Sequence, residues 1–133
     1  MEYQKKQGMP ECFKIMMVSL KPDGCKVLKG PKEEIRLAEI LRDDYHTSRY
    51  EKMVQLVVRE MVEESEQERV SQLLSLEHLQ KILGSGKEKM VCSYRRKVEG
   101  VMQPVSAEIF PRRFGKRGEL EEFMVYVYQR NED

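Results

Sequence analysis

Tryptophan is absent from this chain, histidine occurs only as His46 and His78, and the three cysteines, Cys12, Cys25 and Cys92, stand at unrelated spacings without a Cys-x-x-Cys. An odd, scattered set of cysteines supports neither a disulfide framework nor a zinc site, and reads as core or half-buried residues. With no His-x-x-x-His and no cysteine beside either histidine, no metal site is expected. Long apolar runs are missing too. Nothing approaches the roughly 18 residues that span a bilayer, and residues 1–6 lead into no signal-like hydrophobic segment. No membrane segment is expected, and the chain reads as soluble and cytoplasmic. Charge of one sign is also lacking: 24 basic against 23 acidic residues leave a formal net charge of +1, so no overall field draws the chain to nucleic acid or an anionic surface.

What is present is one domain's worth of sequence. The 133 residues allow a single core and are too few for two domains of ordinary size. Charged residues make up 35%, interleaved along the chain, which marks a solvated surface instead of a disordered tail. The last third carries the clearest pattern. Residues 87–98 alternate, with Met90, Cys92 and Tyr94 on one side and Val91, Ser93 and Arg95 on the other, as the two-residue repeat of a strand requires. Glu99-Gly100 turns the chain. Residues 101–110 then set Val101, Val105, Ala107 and Ile109 against Met102, Ser106, Glu108 and Phe110. A polar turn is expected over 112–118, and residues 122–128 set Phe123, Val125 and Val127 against Met124, Tyr126 and Tyr128. Short links predict an antiparallel meander. Neither face is wholly polar, which fits either a second covering over the outer one or Tyr and Met side chains half exposed at sheet edges.

Upstream, residues 11–20 form a strand pattern with Phe13, Ile15 and Met17 facing one way and Cys12, Met16, Val18 and Leu20 the other. Lys21-Pro22-Asp23-Gly24 reads as a hairpin turn, with proline presetting the first angle and glycine taking a left-handed position; residues 25–29 return as a short strand. Over 32–44, Ile35, Ala38 and Leu41 have helical spacing while Leu37 and Ile40 spoil the stripe, so a short helix and an irregular covering segment both fit. Ser48-Arg49-Tyr50-Glu51 fits a capping box, followed by Tyr50, Met53, Val54, Val57, Val58 and Met61 on one helical face. Ser65-Glu66-Gln67-Glu68 fits a second box before Val70, Leu73 and Leu74. Ser75 can cap a third helix carrying Leu76, Leu79, Ile82 and Leu83, with Gly84 just past its end. Two strands, several helices and three strands predict an α+β fold, with the helices gathered on one face of a five-stranded antiparallel sheet.

This order, together with Val18-Ser19-Leu20-Lys21-Pro22-Asp23-Gly24-Cys25-Lys26-Val27-Leu28, Leu74-Ser75-Leu76-Glu77-His78-Leu79 and Cys92-Ser93-Tyr94-Arg95-Arg96-Lys97 before a Gly turn, resembles a PAS domain. The similarity is to the divergent PAS-like sensory domains of Firmicutes signalling proteins such as diguanylate cyclases and histidine kinases. It covers residues 11–133, with 1–10 as a lead-in, and ends on Arg130-Asn131-Glu132-Asp133. The chain departs from the family with Glu64-Ser65-Glu66-Gln67 in place of His-Pro-x-Asp, and with Pro104 where Trp follows the Gly turn. Pro104 has no amide for a ladder and is expected at an edge, a bulge or a strand start. The resemblance implies strand order 2-1-5-4-3 and a role in sensing or signal relay, with a small ligand or a partner between helices and sheet. Such domains run on into a signalling helix where Asp133 ends this sequence, so an effector domain in the same or a partner chain is expected.

Candidate chemistry is sparse. Gly84-Ser85-Gly86-Lys87 matches the end of a phosphate loop, but Lys81 replaces its first glycine and Glu88 its hydroxyl residue, and it stands between helix and strand instead of the reverse. His78, on a helix that borders haem in some PAS domains, reads as a solvated first-turn histidine, and no cysteine lies in a flavin-type motif, so no cofactor is identified. Arg112, Arg113, Lys116 and Arg117 read as a solvated hairpin tip, with an anion or acidic partner as the alternative. No nucleophile with a neighbouring base stands out, and an enzyme is not expected. Spacing nominates Met53, Val57, Met61, Leu79, Leu83, Tyr94, Val105 and Val125 as pocket residues. It nominates Met124, Tyr126 and Tyr128 as the face of a homodimer or partner contact.

Overall fold

Strand periodicity, read residue by residue, decides which side of the sheet each side chain meets. A computed structural model of the chain describes residues 11–40 and 49–130. In order it contains β1 (Cys12–Leu20), β2 (Asp23–Lys29), α1 (Lys32–Ile40), α2 (Arg49–Met61), α3 (Gln67–Leu73), α4 (Leu76–Gly84), β3 (Met90–Val98), β4 (Val101–Phe114) and β5 (Leu120–Gln129), with a 3-10 turn at Glu64–Glu66. The five strands form one antiparallel sheet in the order β2-β1-β5-β4-β3. The α+β class, the strand order and the meander of the last three strands are those expected. The lead-in before Glu11, Leu41, His46, Ser48 and Asn131-Glu132-Asp133 lie outside the described residues.

The inward positions, Met16 and Val18 of β1, Met90, Cys92 and Tyr94 of β3, Val105, Ala107 and Ile109 of β4 and Phe123, Val125 and Val127 of β5, are buried. They meet Tyr50, Met53, Val57, Val58 and Met61 of α2, Val70 of α3 and Leu79 and Leu83 of α4 in one cluster. Apolar burial of this kind supplies most of the driving force for folding, at about 25 cal/mol per Å² removed from water. On the opposite face Ile15, Met17, Phe110, Met124, Tyr126 and Tyr128 are half-buried, and no described element covers them. Among the described residues no helix is long and apolar enough to cross a membrane.

Several local expectations are corrected. A bulge in β1, where Cys12 pairs with Tyr128 and Lys14 already with Val127, adds a residue to one strand. It brings Phe13 round to pack on the core with Lys14, instead of outward with Ile15 and Met17. The β1–β2 loop is Lys21-Pro22, with a cis peptide between them, and Gly24 pairs within β2. Proline thus takes the second loop position and glycine needs no left-handed angle. Asp23 has a further role: its two carboxylate oxygens accept the Arg49 amide at 3.0 and 2.9 Å, capping α2 from the hairpin. The second capping box does not form. Ser65 lies in the 3-10 turn, no side chain caps α3, and Glu66 instead accepts the Arg95 amide at 2.7 Å and Arg69 at 2.9 Å.

Ser75 caps α4 as expected, accepting the His78 amide at 3.1 Å. The helix includes Gly84, and the left-handed residue is Gly86 at φ 100°, whose amide reaches the Leu83 carbonyl at 3.2 Å. Strand β4 runs on through Pro111 to Phe114, with register shifts after Pro111, so Arg112 and Arg113 are strand residues and the turn starts at Gly115. Val101, expected inward, is 59% exposed beside the Glu99-Gly100 turn. Pro104 lies in an interior strand, just past the last β5 rung at Val105–Gln129. Its carbonyl accepts the Arg130 amide at 2.9 Å, and its missing amide falls where that ladder ends.

Candidate functional site

The same periodicity that buries Met16 and Tyr94 also carries two cations inward. Lys14 shares the inward side of β1 with Met16 and Val18, and Arg96 extends the Met90, Cys92, Tyr94 column of β3; they are 4% and 1% exposed. Isolated buried charges cost several kcal/mol each, and the fold answers with Glu34 of α1, 0% exposed. Glu34 Oε1 is 2.5 Å from Lys14 Nζ and accepts from Arg96 Nη1 at 3.2 Å, and its Oε2 accepts from Arg96 Nη2 at 2.5 Å. The bidentate fork is the geometry in which arginine holds a carboxylate best. Arg96 is further fixed by its Nε donating to the Lys97 carbonyl at 2.8 Å, by Met61 Sδ at 3.2 Å, and by the Phe13 ring, whose centroid is 5.3 Å from the guanidinium carbon. Next door, the Val62–Arg96 bridge and the Glu63 amide donating to the Arg95 carbonyl at 3.0 Å tie the end of α2 to the edge strand β3.

Burial by itself would raise the Glu34 carboxyl, but Lys14 and Arg96 together outweigh it and hold the group down at about 2, from an ordinary 4.5. A carboxylate held below its unfolded value adds stability above the unfolded pKa, and that stability is lost as pH falls towards the folded one. The chain should therefore lose on the order of 3 kcal/mol between about pH 4.5 and pH 2 through this group alone. Urea unfolding at stepped pH checks it, and a Glu34→Gln variant should show a flatter profile across that window.

All eight nominated pocket residues lie in the buried layer between helices and sheet. Met53, Val57, Tyr94 and Val125 line a cavity together with Lys14, Met16 and Tyr50, whereas Met61, Leu79, Leu83 and Val105 do not reach it. The cavity is about 30 Å³, room for a water or a short alkyl group. A pocket for an ordinary small molecule takes roughly 300–1,000 Å³. Polar side chains clamp the roof above it. Tyr50 donates to the Leu74 carbonyl at 2.7 Å, and Gln80 makes two bonds to the Leu120 backbone, at 2.9 and 3.2 Å, holding α4 to the start of β5. Burial pushes the Cys25 and Cys92 thiols up to about 11 and raises the Tyr94 hydroxyl further, so all three are protonated at neutral pH.

Outside the cage, a cleft of about 440 Å³ opens between α1, the end of α2 and the β3–β4 turn, with Arg96 and Met61 in its wall beside Glu33, Arg36 and Lys97. On the outer face Phe110, Arg112, Met124, Tyr126 and Tyr128 line a shallow groove, which brings together all three residues nominated for a partner contact. Phe110 and Tyr126 meet edge to face at 5.7 Å. The Arg112 guanidinium lies 3.8 Å from Met17 Sδ and 3.9 Å from Met124 Sδ, and among the described residues no carboxylate pairs with it. Arg113, by contrast, is neutralised by Glu121 at 3.3 Å and Glu122 at 2.9 Å. The basic cluster is thus divided between the strand and the turn.

The pocket nomination rested on apolar spacing and passed over Lys14, Glu34 and Arg96. The available signal was charge on an inward strand position, since two buried cations require an anion from the covering layer. Comparison with protein-family models, with curated proteins and with solved structures finds no match for this chain.

Proposed function

We propose that this chain is a PAS-like sensory or signal-relay domain, cytoplasmic, which regulates an effector domain in the same or a partner chain. The observation that carries the reading is the division of labour between the two faces of the sheet. A helical layer roofs one face over a small cavity and a buried ion cage, while the other face leaves Met124, Tyr126 and Tyr128 open to a partner. Because β5 is the central strand and contributes Val125 to the cavity and Tyr126 to the groove, a shift of the roof has a direct route to the outer surface. Two arrangements of the roof that differ in their contacts are all such a relay needs. Methyl NMR tests it: Met53 and Val57 under the roof and Met124 on the outer face should share one exchange process on the microsecond to millisecond scale. Independent or absent exchange at the two places sinks the relay.

The second reading, a homodimerisation or interaction module, draws on the groove itself. Half-buried aromatics around a guanidinium with no acidic partner among the described residues are the composition found at the centre of protein interfaces. On that reading, light scattering after size exclusion shows a dimer at micromolar concentration, and Tyr126→Ala raises the dissociation constant by about tenfold or more. A monomer across the whole accessible concentration range eliminates it.

A further inference from the structure

We infer that Lys14 and Arg96 form a receptor for a small monocarboxylate, that Glu34 fills it as a built-in occupant, and that a free carboxylate exchanging with Glu34 releases α1 from the sheet. The inference rests on the sensory reading and names the ligand class.

The cage has the parts a carboxylate receptor needs: a rigid arginine fork, positioned by Lys97, Met61 and Phe13, and a lysine closing the other oxygen. Among the described residues it holds two cations against one carboxylate, so one positive charge is in excess within the cage. Arg96 stands in the wall of the solvent-open cleft, where Glu33, Glu60 and Glu99 face Arg36 and Lys97, so exchange with a free carboxylate starts from that side as the packing over Arg96 opens. On the Lys14 side, the cavity of about 30 Å³ accepts a tail of one or two carbons. Acetate and propionate fit these limits; longer or branched acids do not.

The consequence for α1 follows from how that helix is docked. Of its described side chains, Lys32, Glu33, Ile35 and Arg36 are exposed, Ile35 at 38%, and Glu34 alone is buried. The Glu34 carboxylate ties α1 to Lys14 of β1 and Arg96 of β3, and a ligand that takes its place breaks that tie between helix and sheet.

Glu34→Ala empties the receptor while keeping both cations, and acetate should restore what the side chain supplied. Sodium acetate should raise the melting temperature of E34A saturably, by about 5 °C or more over sodium chloride at equal ionic strength. The effect should vanish in the E34A/R96M double variant. Equal shifts with chloride, no shift, or an undiminished shift in the double variant overturns the proposal. If E34A does not fold in either salt, the intact chain decides. Acetate should speed amide hydrogen exchange in α1 relative to chloride while leaving β5 unchanged, and unaltered exchange in α1 overturns the proposal. The shared exchange that tests the relay is measured with no ligand added, so failure of the receptor and failure of the relay are read separately.

Discussion

Replacing Glu34 with alanine lowers the unfolding free energy by about 3–5 kcal/mol, because it strands two buried cations without an anion. Lys14 and Arg96 are 4% and 1% exposed, so neither can turn to water without opening the packing around Met61 and Phe13. The order of effects across the cage is the sharper expectation. Arg96→Met leaves Lys14 and Glu34 as a balanced pair and fills much of the space with an apolar chain, so its cost should be less than half as large. Urea unfolding at neutral pH measures both. An R96M variant at least as unstable as E34A would mean that packing, not charge balance, governs the cage. The difference between wild type and E34A should also shrink as the pH is lowered from about 4.5 towards 2, where Glu34 loses its charge in the parent.

Phe123→Ala should cost a similar amount, about 3–5 kcal/mol, for a different reason. Phe123 is 0% exposed on the central strand β5, and its ring meets Tyr50 edge-on at 5.0 Å and 87°. Truncation leaves a cavity between sheet and roof that neighbours clamped by the Tyr50–Leu74 bond at 2.7 Å cannot collapse to fill. The loss should be the same at pH 3 and pH 7, which separates it from the cage. Phe123→Leu should recover more than half of it. Hydrogen exchange in F123A should accelerate in α2 and β5 together. A loss below about 1 kcal/mol would show that the roof is looser than its contacts indicate.

The parts of this protein legible from sequence are those governed by short-range rules. Alternation at Met90, Cys92 and Tyr94 and at Phe123, Val125 and Val127 assigned the faces of β3 and β5, because successive side chains in a strand must point opposite ways. The stripe of Tyr50, Met53, Val57 and Met61 located α2, and Ser75 announced the start of α4. What local rules missed has a common cause. The Phe13 bulge, the run of β4 through Pro111 and the failed box at Ser65 are each decided by a partner far along the chain: Val127 for the bulge, Phe123 for Pro111, and the Arg95 amide for Glu66.

The cage shows the division most clearly. Its two cations stand on inward positions that strand parity alone identifies, Lys14 beside Met16 and Arg96 beyond Tyr94. That α1 would supply the balancing carboxylate, 62 residues before Arg96 along the chain, is not written in any window of sequence. Sequence by itself determined most of the elements and, Phe13 and Val101 apart, the faces of the strands, since these depend on neighbours a few residues away. Only the tertiary structure decided where the charge of Lys14 and Arg96 is met and how much room remains beside it, because both depend on which distant segments the sheet order brings into contact.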